Sequence, residues 1–294
     1  MENNITGSRL VAPSTLYLVA TPIGNLKDIS YRALEVLKSV DLIAAEDTRN
    51  TVKLLNHYNI NTPLSSYHEH NKIKRSKELI EKLKGGSSIA LVSDAGMPAI
   101  SDPGEDMVAA AHEEGISVSV VPGACAFVSA LAISGLSSRR FVFEGFLPFD
   151  KKERRQVLKD LAKEKRTVVF YEAPHKLIKT LKDIAEFIEE DRKISIVREL
   201  SKLHEEVFNT TIKEAIRLYE EGIKLIKGEY VIVINAKDEE SIKKEEEKKW
   251  DELSLEEHMK IYEDKGLDKK AAMKSVAMDR NVSKREIYNK LLRG

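Results

Sequence analysis

Three apolar runs of strand length each break off into a glycine-bearing loop, and this recurrence restricts the fold more than any other feature of the chain. TLYLVA (Thr15 to Ala20) runs into VATPIGNLKD (Val19 to Asp28), SSIALVSDA runs into SDAGMPAISDPG (Ser93 to Gly104), and SVSVVPGA runs into VVPGACAFVSA (Val120 to Ala130). Helical patterns fill the intervals. Asp28 is expected to cap a helix that carries Ile29, Ala33, Leu34, Val36, Leu37 and Val40 at helical spacing. DLIAAE (Asp41 to Glu46) reads as another strand, a helix begins near Asp47, and Gly115 stops a helix that starts near Glu105. Such β-then-α alternation predicts a largely parallel sheet with its loops at the carboxyl edge.

From Arg139 onward the pattern changes. FVFEGF, RTVVFYEA, KISIVREL, EEVFNTT and EYVIVINA are strand candidates, with helical runs at Lys151 to Glu164, Pro174 to Glu189 and Ile212 to Glu221. Short connections favour more antiparallel pairing in this second α/β domain. The expected division is a leader over 1–14, α/β domains over 15–138 and 139–236, a charged linker over 237–252, and a helical domain over 253–294. Three short helices are expected in that last domain: Ser254 with Glu257 and Ser283 with Glu286 form capping boxes, and Asp268 can cap the helix between them. The fold class is therefore α/β with a small C-terminal helix-turn-helix-like domain.

Composition narrows the function. The formal net charge is zero, so a polyanionic partner must be met by a local patch. One such patch exists: from Lys265 to Gly294 there are nine Lys or Arg against three acids, which suits phosphate contacts as well as a solvated helical face. No apolar stretch is long enough for a membrane helix and no secretory leader is evident, so a soluble, cytoplasmic protein is expected. The single cysteine, Cys125, excludes an internal disulfide and a multi-cysteine zinc site. His68-Glu69-His70 would place two imidazoles on one side of a strand, but without further ligands no metal is expected. His57, His112, His204 and His258 show no metal spacing.

The loop from Ser93 to Gly104 is the most informative segment. Gly96 and Gly104 let the main chain turn or approach a ligand, Pro98 and Pro103 stiffen it, and Asp94 and Asp102 can bind amides or ribose hydroxyls. At the carboxyl edge of an α/β sheet this is the default position of a ligand site. Neither GxGxxG nor GxxxxGK[ST] occurs, which disfavours a dehydrogenase or a P-loop enzyme.

Taken with LIAAEDTRNT (Leu42 to Thr51), FYEAPHKL (Phe170 to Leu177), VRELSKLHEE (Val197 to Glu206) and KGEYVIVI (Lys227 to Ile234), these loops resemble the tetrapyrrole-methylase superfamily. More narrowly, the chain looks like the bacterial small-subunit rRNA methyltransferase I family, which methylates the ribose 2′-oxygen of a decoding-centre cytidine. The resemblance covers residues 15 to 236 and implies a two-domain tetrapyrrole-methylase-like fold, S-adenosylmethionine as methyl donor, 16S rRNA or the small ribosomal subunit as partner, and a homodimer, with neither membrane nor DNA involved. It also implies that Pro22, Ala95, Gly96, Met97, Ile100, Cys125, Ala126, Tyr171 and Leu200 surround the cofactor. For Cys125 a small buried thiol is favoured over a nucleophile, because no histidine partner is evident.

A ribose hydroxyl is a poor nucleophile, so a general base is sought among polar residues at strand ends. Glu46 and Asp47 precede Arg49, a set that can offer a carboxylate to ribose and a guanidinium to phosphate; Asp47 equally suits a helix cap. Glu172, His175, Glu199 and Lys202 form a second polar group, expected to face the first across a cleft. The candidate catalytic residues are therefore Glu46, Asp47 and Glu199. Candidate RNA contacts are Arg49, Lys202, Lys269, Lys270, Lys274, Lys284 and Arg285. Competing readings are a tetrapyrrole or other small-molecule methyltransferase on the same fold, and an RNA-binding ribosome-assembly protein without chemistry.

Overall fold

The computed structural model describes residues 11–237, 250 and 253–291, arranged as two compact units, 1–235 and 236–294. The expected leader up to residue 10, and the expected linker apart from Lys237 and Trp250, lie outside the described residues.

The first half of the larger unit runs β1 (Thr15–Val19), α1 (Tyr31–Ser39), β2 (Leu42–Ala45), α2 (Thr48–His57), β3 (Leu64–Ser66), α3 (Lys72–Lys84), β4 (Ile89–Val92), α4 (Gly104–Glu113) and β5 (Ser117–Val121). The strands are all parallel, in the order β3-β2-β4-β1-β5. Alternate residues serve opposite faces: Tyr17, Val19, Ile43 and Ala45 pack with Val36, Leu37 and Leu55 of α1 and α2, whereas Leu16, Ala44, Ile89 and Leu91 pack with Leu79, Leu83, Met107 and Ala111 of α3 and α4. A sheet covered on both faces needs apolar residues at every position, which is why its strands read as unbroken runs. From β1 the chain passes over β4 to reach β2, and from β4 it passes β1 on the opposite face to reach β5, so the winding reverses between these two neighbours. That switch point is where open α/β sheets form their ligand crevice.

α5 (Ala126–Ile133) leads to the second half: β6 (Phe141–Phe146), α6 (Lys151–Leu161), β7 (Thr167–Glu172), α7 (Leu177–Ala185), β8 (Lys193–Arg198), β9 (Glu206–Thr211), α8 (Ile212–Glu220) and β10 (Tyr230–Ile234). The order is β6-β7-β10-β8-β9, and only β6–β7 is parallel. One face of this sheet packs on α6, α7 and α8 around Phe170, Leu177, Leu181 and Ile232; the other receives Ala130 and Leu131 of α5 against Val169, Val197, Val231 and Val233. The helix that closes the first half is thus built into the second half's core. Phe170 has no exposed surface, so Phe170→Ala is expected to cost about 3–5 kcal/mol, measured by denaturant unfolding.

Two local expectations are corrected. Asp28 does not cap α1. Asn25 caps a short 3-10 turn, Leu26–Asp28, and Ser30 takes the cap position, its Oγ accepting from the Ala33 N–H at 3.1 Å. His68, Glu69 and His70 follow β3 rather than forming part of it; they occupy a turn in which the His68 N–H donates to Asn71 Oδ1 at 2.9 Å.

In the smaller unit, α9 (Leu255–Glu263), α10 (Lys269–Asp279) and α11 (Lys284–Leu291) enclose Met259, Ala272, Val276 and Ile287. Ser254 and Glu257 form a reciprocal capping box, Asp268 accepts from the N–H groups of Lys270 and Ala271, and Ser283 and Glu286 exchange bonds as a second box. Among the described residues no helix is long and apolar enough to cross a membrane.

Candidate functional site

The loop after β4 is fastened to the loop after β1 by a two-residue antiparallel bridge. The Thr21 N–H donates to the Gly96 carbonyl at 2.9 Å and the Gly96 N–H returns to Thr21 at 3.0 Å. Gly96 turns there with φ +81°, a conformation costly for other residues, and a Cβ would lie 3.2 Å from Ile23 Cγ2. Further along, Asp102 Oδ1 accepts from the N–H groups of Ala99 at 3.0 Å and Gly104 at 2.7 Å, so this carboxylate is engaged in shaping its own loop.

Backbone strain flanks two of the residues that face the cavity. Ile100 sits between Ala99 at φ +66° and Ser101 at φ +61°, and Leu200 sits between Glu199 at φ +51° and Ser201 at φ +65°. Left-handed conformations cost L-residues on the order of 1 kcal/mol each and persist where surrounding bonds enforce them. Here Asp102 enforces the first pair. The second is held by the Glu199 N–H donating to the Glu229 carbonyl at 3.0 Å, and by Ser201 Oγ, which donates to Asp28.

Between the strand ends of the two sheets lies a cavity of about 480 Å³, within the range typical of small-molecule sites. Ala95, Gly96, Met97, Ile100, Cys125, Ala126, Tyr171 and Leu200 line it; Pro22 instead lines an adjoining cavity of about 200 Å³. Ile23, Phe127, Phe146, Ala173, Pro174 and Val231 also contribute, unforeseen from sequence. Phe146 reaches the cavity through a register shift in β6 at Gly145 (φ +65°), a bulge that no local pattern announced. Tyr171 is wedged between Phe143 and Phe146, with ring centroids at 5.1 and 5.4 Å, and its hydroxyl accepts from the Phe127 N–H at 3.3 Å. Burial, then Cys125, pushes the Tyr171 hydroxyl up to about 12, and burial also raises the Cys125 thiol, so both stay protonated near neutrality.

Electrostatics separates the candidate ligands. The lining includes five carboxylates, from Glu46, Asp94, Asp102, Glu172 and Glu229, and no lysine or arginine. Glu229 is paired with Lys202; the other four make a wall that favours a cation and repels pyrophosphate. An apolar cradle with acids around it, entered by main-chain groups next to a glycine, fits S-adenosylmethionine, with its sulfonium and ammonium charges, and does not fit a phosphorylated dinucleotide.

The candidate acids and bases divide sharply. Glu46 lines the cavity, and burial, followed by the charges of Asp94 and Asp102, raises its pKa above the ordinary glutamate range. Asp47 caps α2 and grips Arg49 at 2.7 Å; the bonds from Arg49 hold its carboxyl down at about 2. Glu199 is bound by Lys202 Nζ at 2.9 Å and accepts from the Glu229 N–H at 3.0 Å; burial opposes its ionisation, but these donors outweigh it and the carboxyl lies below its usual range. Gly228 leaves room for that carboxylate, since a Cβ would fall 2.4 Å from it. Glu172 is buried and accepts from Thr180 Oγ1, which accepts in turn from Arg154 at 2.7 Å. His175 is exposed. The two polar groups expected to face each other thus meet at the cavity through Glu46 and Glu172, whereas Asp47 and Glu199 are committed to cations.

Of the expected RNA contacts, Arg49 is exposed, and Lys202 joins Glu199 to Glu229, with bonds of 2.9 and 3.1 Å. In the smaller unit Lys269, Lys270, Lys274 and Arg285 are exposed and Lys284 is half-buried; among the described residues none forms an ion pair. No cluster of three or more metal-ligating side chains occurs among the described residues.

Fold and site together define a methylase of the tetrapyrrole class: residues 15–216 match the family described as Tetrapyrrole (Corrin/Porphyrin) Methylases. A solved diphthine synthase superposes with a TM-score of 0.58 at 16% identity, covering 76% of this chain and 90% of that one. The chain is 51% identical over 275 residues to ribosomal RNA small subunit methyltransferase I of Halalkalibacterium halodurans, covering 94% of this chain and 93% of the relative. It is 49% identical to the Bacillus subtilis protein of the same name, covering 93% and 92%. The chain belongs to the ribosomal RNA small subunit methyltransferase I family.

Proposed function

We propose that the protein methylates the ribose 2′-oxygen of a decoding-centre cytidine in 16S rRNA, using S-adenosylmethionine. The observation that carries the reading is the acid-lined, cation-free cavity at the switch point with one carboxylate of raised pKa in its wall; the names of the relatives supply the RNA substrate.

S-adenosylmethionine, when bound, supplies an electrophilic methyl group on a sulfonium. Gly96, Met97, Ile100, Ala126, Tyr171 and Leu200 would hold it, the strained pairs around Ile100 and Leu200 fixing their side chains in the wall. Glu46 takes the proton from the ribose hydroxyl as that oxygen becomes nucleophilic, a contribution of about 10²- to 10⁴-fold. Positioning of the hydroxyl by the rigid loops supplies the larger share, up to roughly 7–11 kcal/mol in the best oriented systems. Asp47 and Glu199 serve as positioning residues, the first holding Arg49 and the second Lys202. RNA is met by these two cations and by Lys269, Lys270, Lys274, Lys284 and Arg285. The exposed apolar side chains Val128 and Ile133 of α5 suit a homodimer contact, and a ribosomal substrate accords with a cytoplasmic protein.

Radiolabelled methyl transfer to 30S subunits lacking the modification, followed by nuclease mapping, tests the proposal. Label on a 2′-oxygen of a decoding-centre cytidine is the expected result; cofactor binding with no label on any subunit RNA overturns it. Charge reversal of Lys269, Lys270 and Arg285 is expected to weaken subunit binding and to flatten its salt dependence by about one unit of slope for each phosphate no longer neutralised, with cofactor affinity unchanged in calorimetry.

A further inference from the structure

Beside the main cavity lies the smaller one of about 200 Å³, and the two share Ser93 and Asp94. Its volume is below the range of sites that hold a cofactor. Pro22 and Leu26 form one wall, Asn50, Lys53 and Leu54 of α2 the other. The walls are tied together: Tyr58, at the end of α2, donates its hydroxyl to the Leu26 carbonyl at 2.5 Å, and Thr21 Oγ1 donates to the Ser93 carbonyl at 3.3 Å. Thr51, also in the lining, spends its hydroxyl on the Asp47 carbonyl at 3.1 Å.

What remains unspent is chemically specific. The Asn50 amide and the Lys53 ammonium make no hydrogen bond or ion pair among the described residues, and Asp94 uses Oδ1 to accept from the Asp47 N–H at 3.0 Å, leaving Oδ2 without a partner there. The cavity therefore offers apolar flanks, one amide that both donates and accepts, one carboxylate that only accepts, and one cation. That set matches a nucleotide: a flat base between apolar side chains, a base edge read by amide and carboxylate, and a phosphate on the lysine. A carboxylate facing the edge selects a base with an exocyclic amine, because it accepts from the amine of cytosine and repels the carbonyl that uracil presents at the same place.

We propose that this cavity is a subsite for one nucleotide of the RNA strand whose base carries an exocyclic amine, cytosine in the substrate proposed above, with Pro22, Leu26 and Leu54 against the base, Asn50 and Asp94 on its edge, and Lys53 on a phosphate. The inference rests on the cytidine substrate proposed above and adds to that reading the element that rejects uracil. The shared Ser93 and Asp94 place a nucleotide held here directly next to the cavity that Glu46 lines.

The test is fluorescence anisotropy of short oligocytidylate and oligouridylate strands with the full-length protein at matched salt. The wild type is expected to prefer oligocytidylate roughly tenfold, the value of one good polar interaction with a base. Asp94→Asn should abolish the preference, because an amide serves the amine of cytosine and the carbonyl of uracil alike, and Lys53→Glu should weaken both strands equally while lowering the salt slope. Both residues are exposed, and an unchanged denaturant midpoint verifies that the variants are folded. Equal binding of the two strands by the wild type, or a preference that survives Asp94→Asn, overturns the subsite. A retained cytosine preference with no label on 30S subunits would instead sink the ribosomal substrate and leave the subsite standing.

Discussion

Glu46→Gln is expected to lower the rate of methyl transfer by about 10²- to 10⁴-fold while S-adenosylmethionine binding changes little. The amide preserves the shape of the side chain and removes the only function a base requires. The cavity keeps Asp94, Asp102 and Glu172, none of them in an ion pair among the described residues, for a cationic ligand, so affinity should survive the loss of Glu46. Single-turnover transfer and calorimetry, measured on the same preparation, separate the two effects. Loss of binding in proportion to loss of rate would make Glu46 a cofactor ligand instead.

The pH dependence supplies a second signature. Burial and the neighbouring charges of Asp94 and Asp102 raise the Glu46 pKa, so the acid limb of the wild-type rate should fall at a higher pH than an exposed glutamate would give. For stability the sign is opposite to that of a paired carboxylate. A group raised in the folded state binds its proton more tightly there than in the unfolded chain, so stability grows as pH falls through the folded pKa, and above it ionised Glu46 is a penalty. Glu46→Gln should therefore be more stable than the wild type at neutral pH and lose that advantage in acid. An inactive variant with raised stability is what a functional carboxylate predicts; denaturant midpoints at both pH values check it.

Gly104→Ala is expected to reduce S-adenosylmethionine affinity at least tenfold and to lower stability by roughly 1–3 kcal/mol, the usual range for an overpacked site. The reason is steric. A Cβ at this position would lie 2.7 Å from Asp102 Oδ1, 2.9 Å from the Ala99 nitrogen and 3.1 Å from the Ala99 Cα. Main-chain atoms cannot swing aside as a flexible side chain can. Relief requires breaking the Asp102 clamp that keeps Ala99 and Ser101 in left-handed conformations, and Ile100 leaves the cavity wall with them. Gly85 is the control: its nearest neighbours are two carbonyls at 3.4 Å, ordinary van der Waals distance, so Gly85→Ala should leave cofactor affinity unchanged. Wild-type affinity in Gly104→Ala would mean that the loop tolerates rearrangement and that its strain has no part in binding.

The pocket was legible in sequence where backbone chemistry determines it. Glycine, proline and aspartate at Gly96, Pro98, Asp102 and Gly104 can serve few purposes other than a tight loop at a strand end, and eight of the nine residues assigned to the cofactor through family resemblance line one cavity. Polar roles were harder to read. Glu46 and Asp47 are adjacent and chemically alike, yet one faces the cavity with a raised pKa and the other is neutralised by a cation two residues away. The difference arises because successive residues at a strand end point to different sides, and Asp94, which the loop brings beside Glu46 with Asp102, lies 47 residues beyond Asp47. Asp28 shows the same limit at short range: aspartate, asparagine and serine are all good caps, and the choice between Asp28 and Ser30 depended on where the preceding 3-10 turn ended.

Sequence by itself determined the alternation of strands and helices, the loops that end in glycine and proline, the helix caps of the C-terminal unit and, through ordered motifs, the family. These follow from local backbone preferences and from the period of apolar residues, which neighbouring residues impose on one another. Tertiary structure alone decided that α5 closes the second sheet, that Phe146 enters the cavity over a bulge, that Asp47 and Glu199 are spent on Arg49 and Lys202, and that Asn50, Lys53 and Asp94 share a second cavity. Each of these depends on which distant side chain arrives within bonding distance, a quantity set by strand order and crossover direction rather than by any local run of residues.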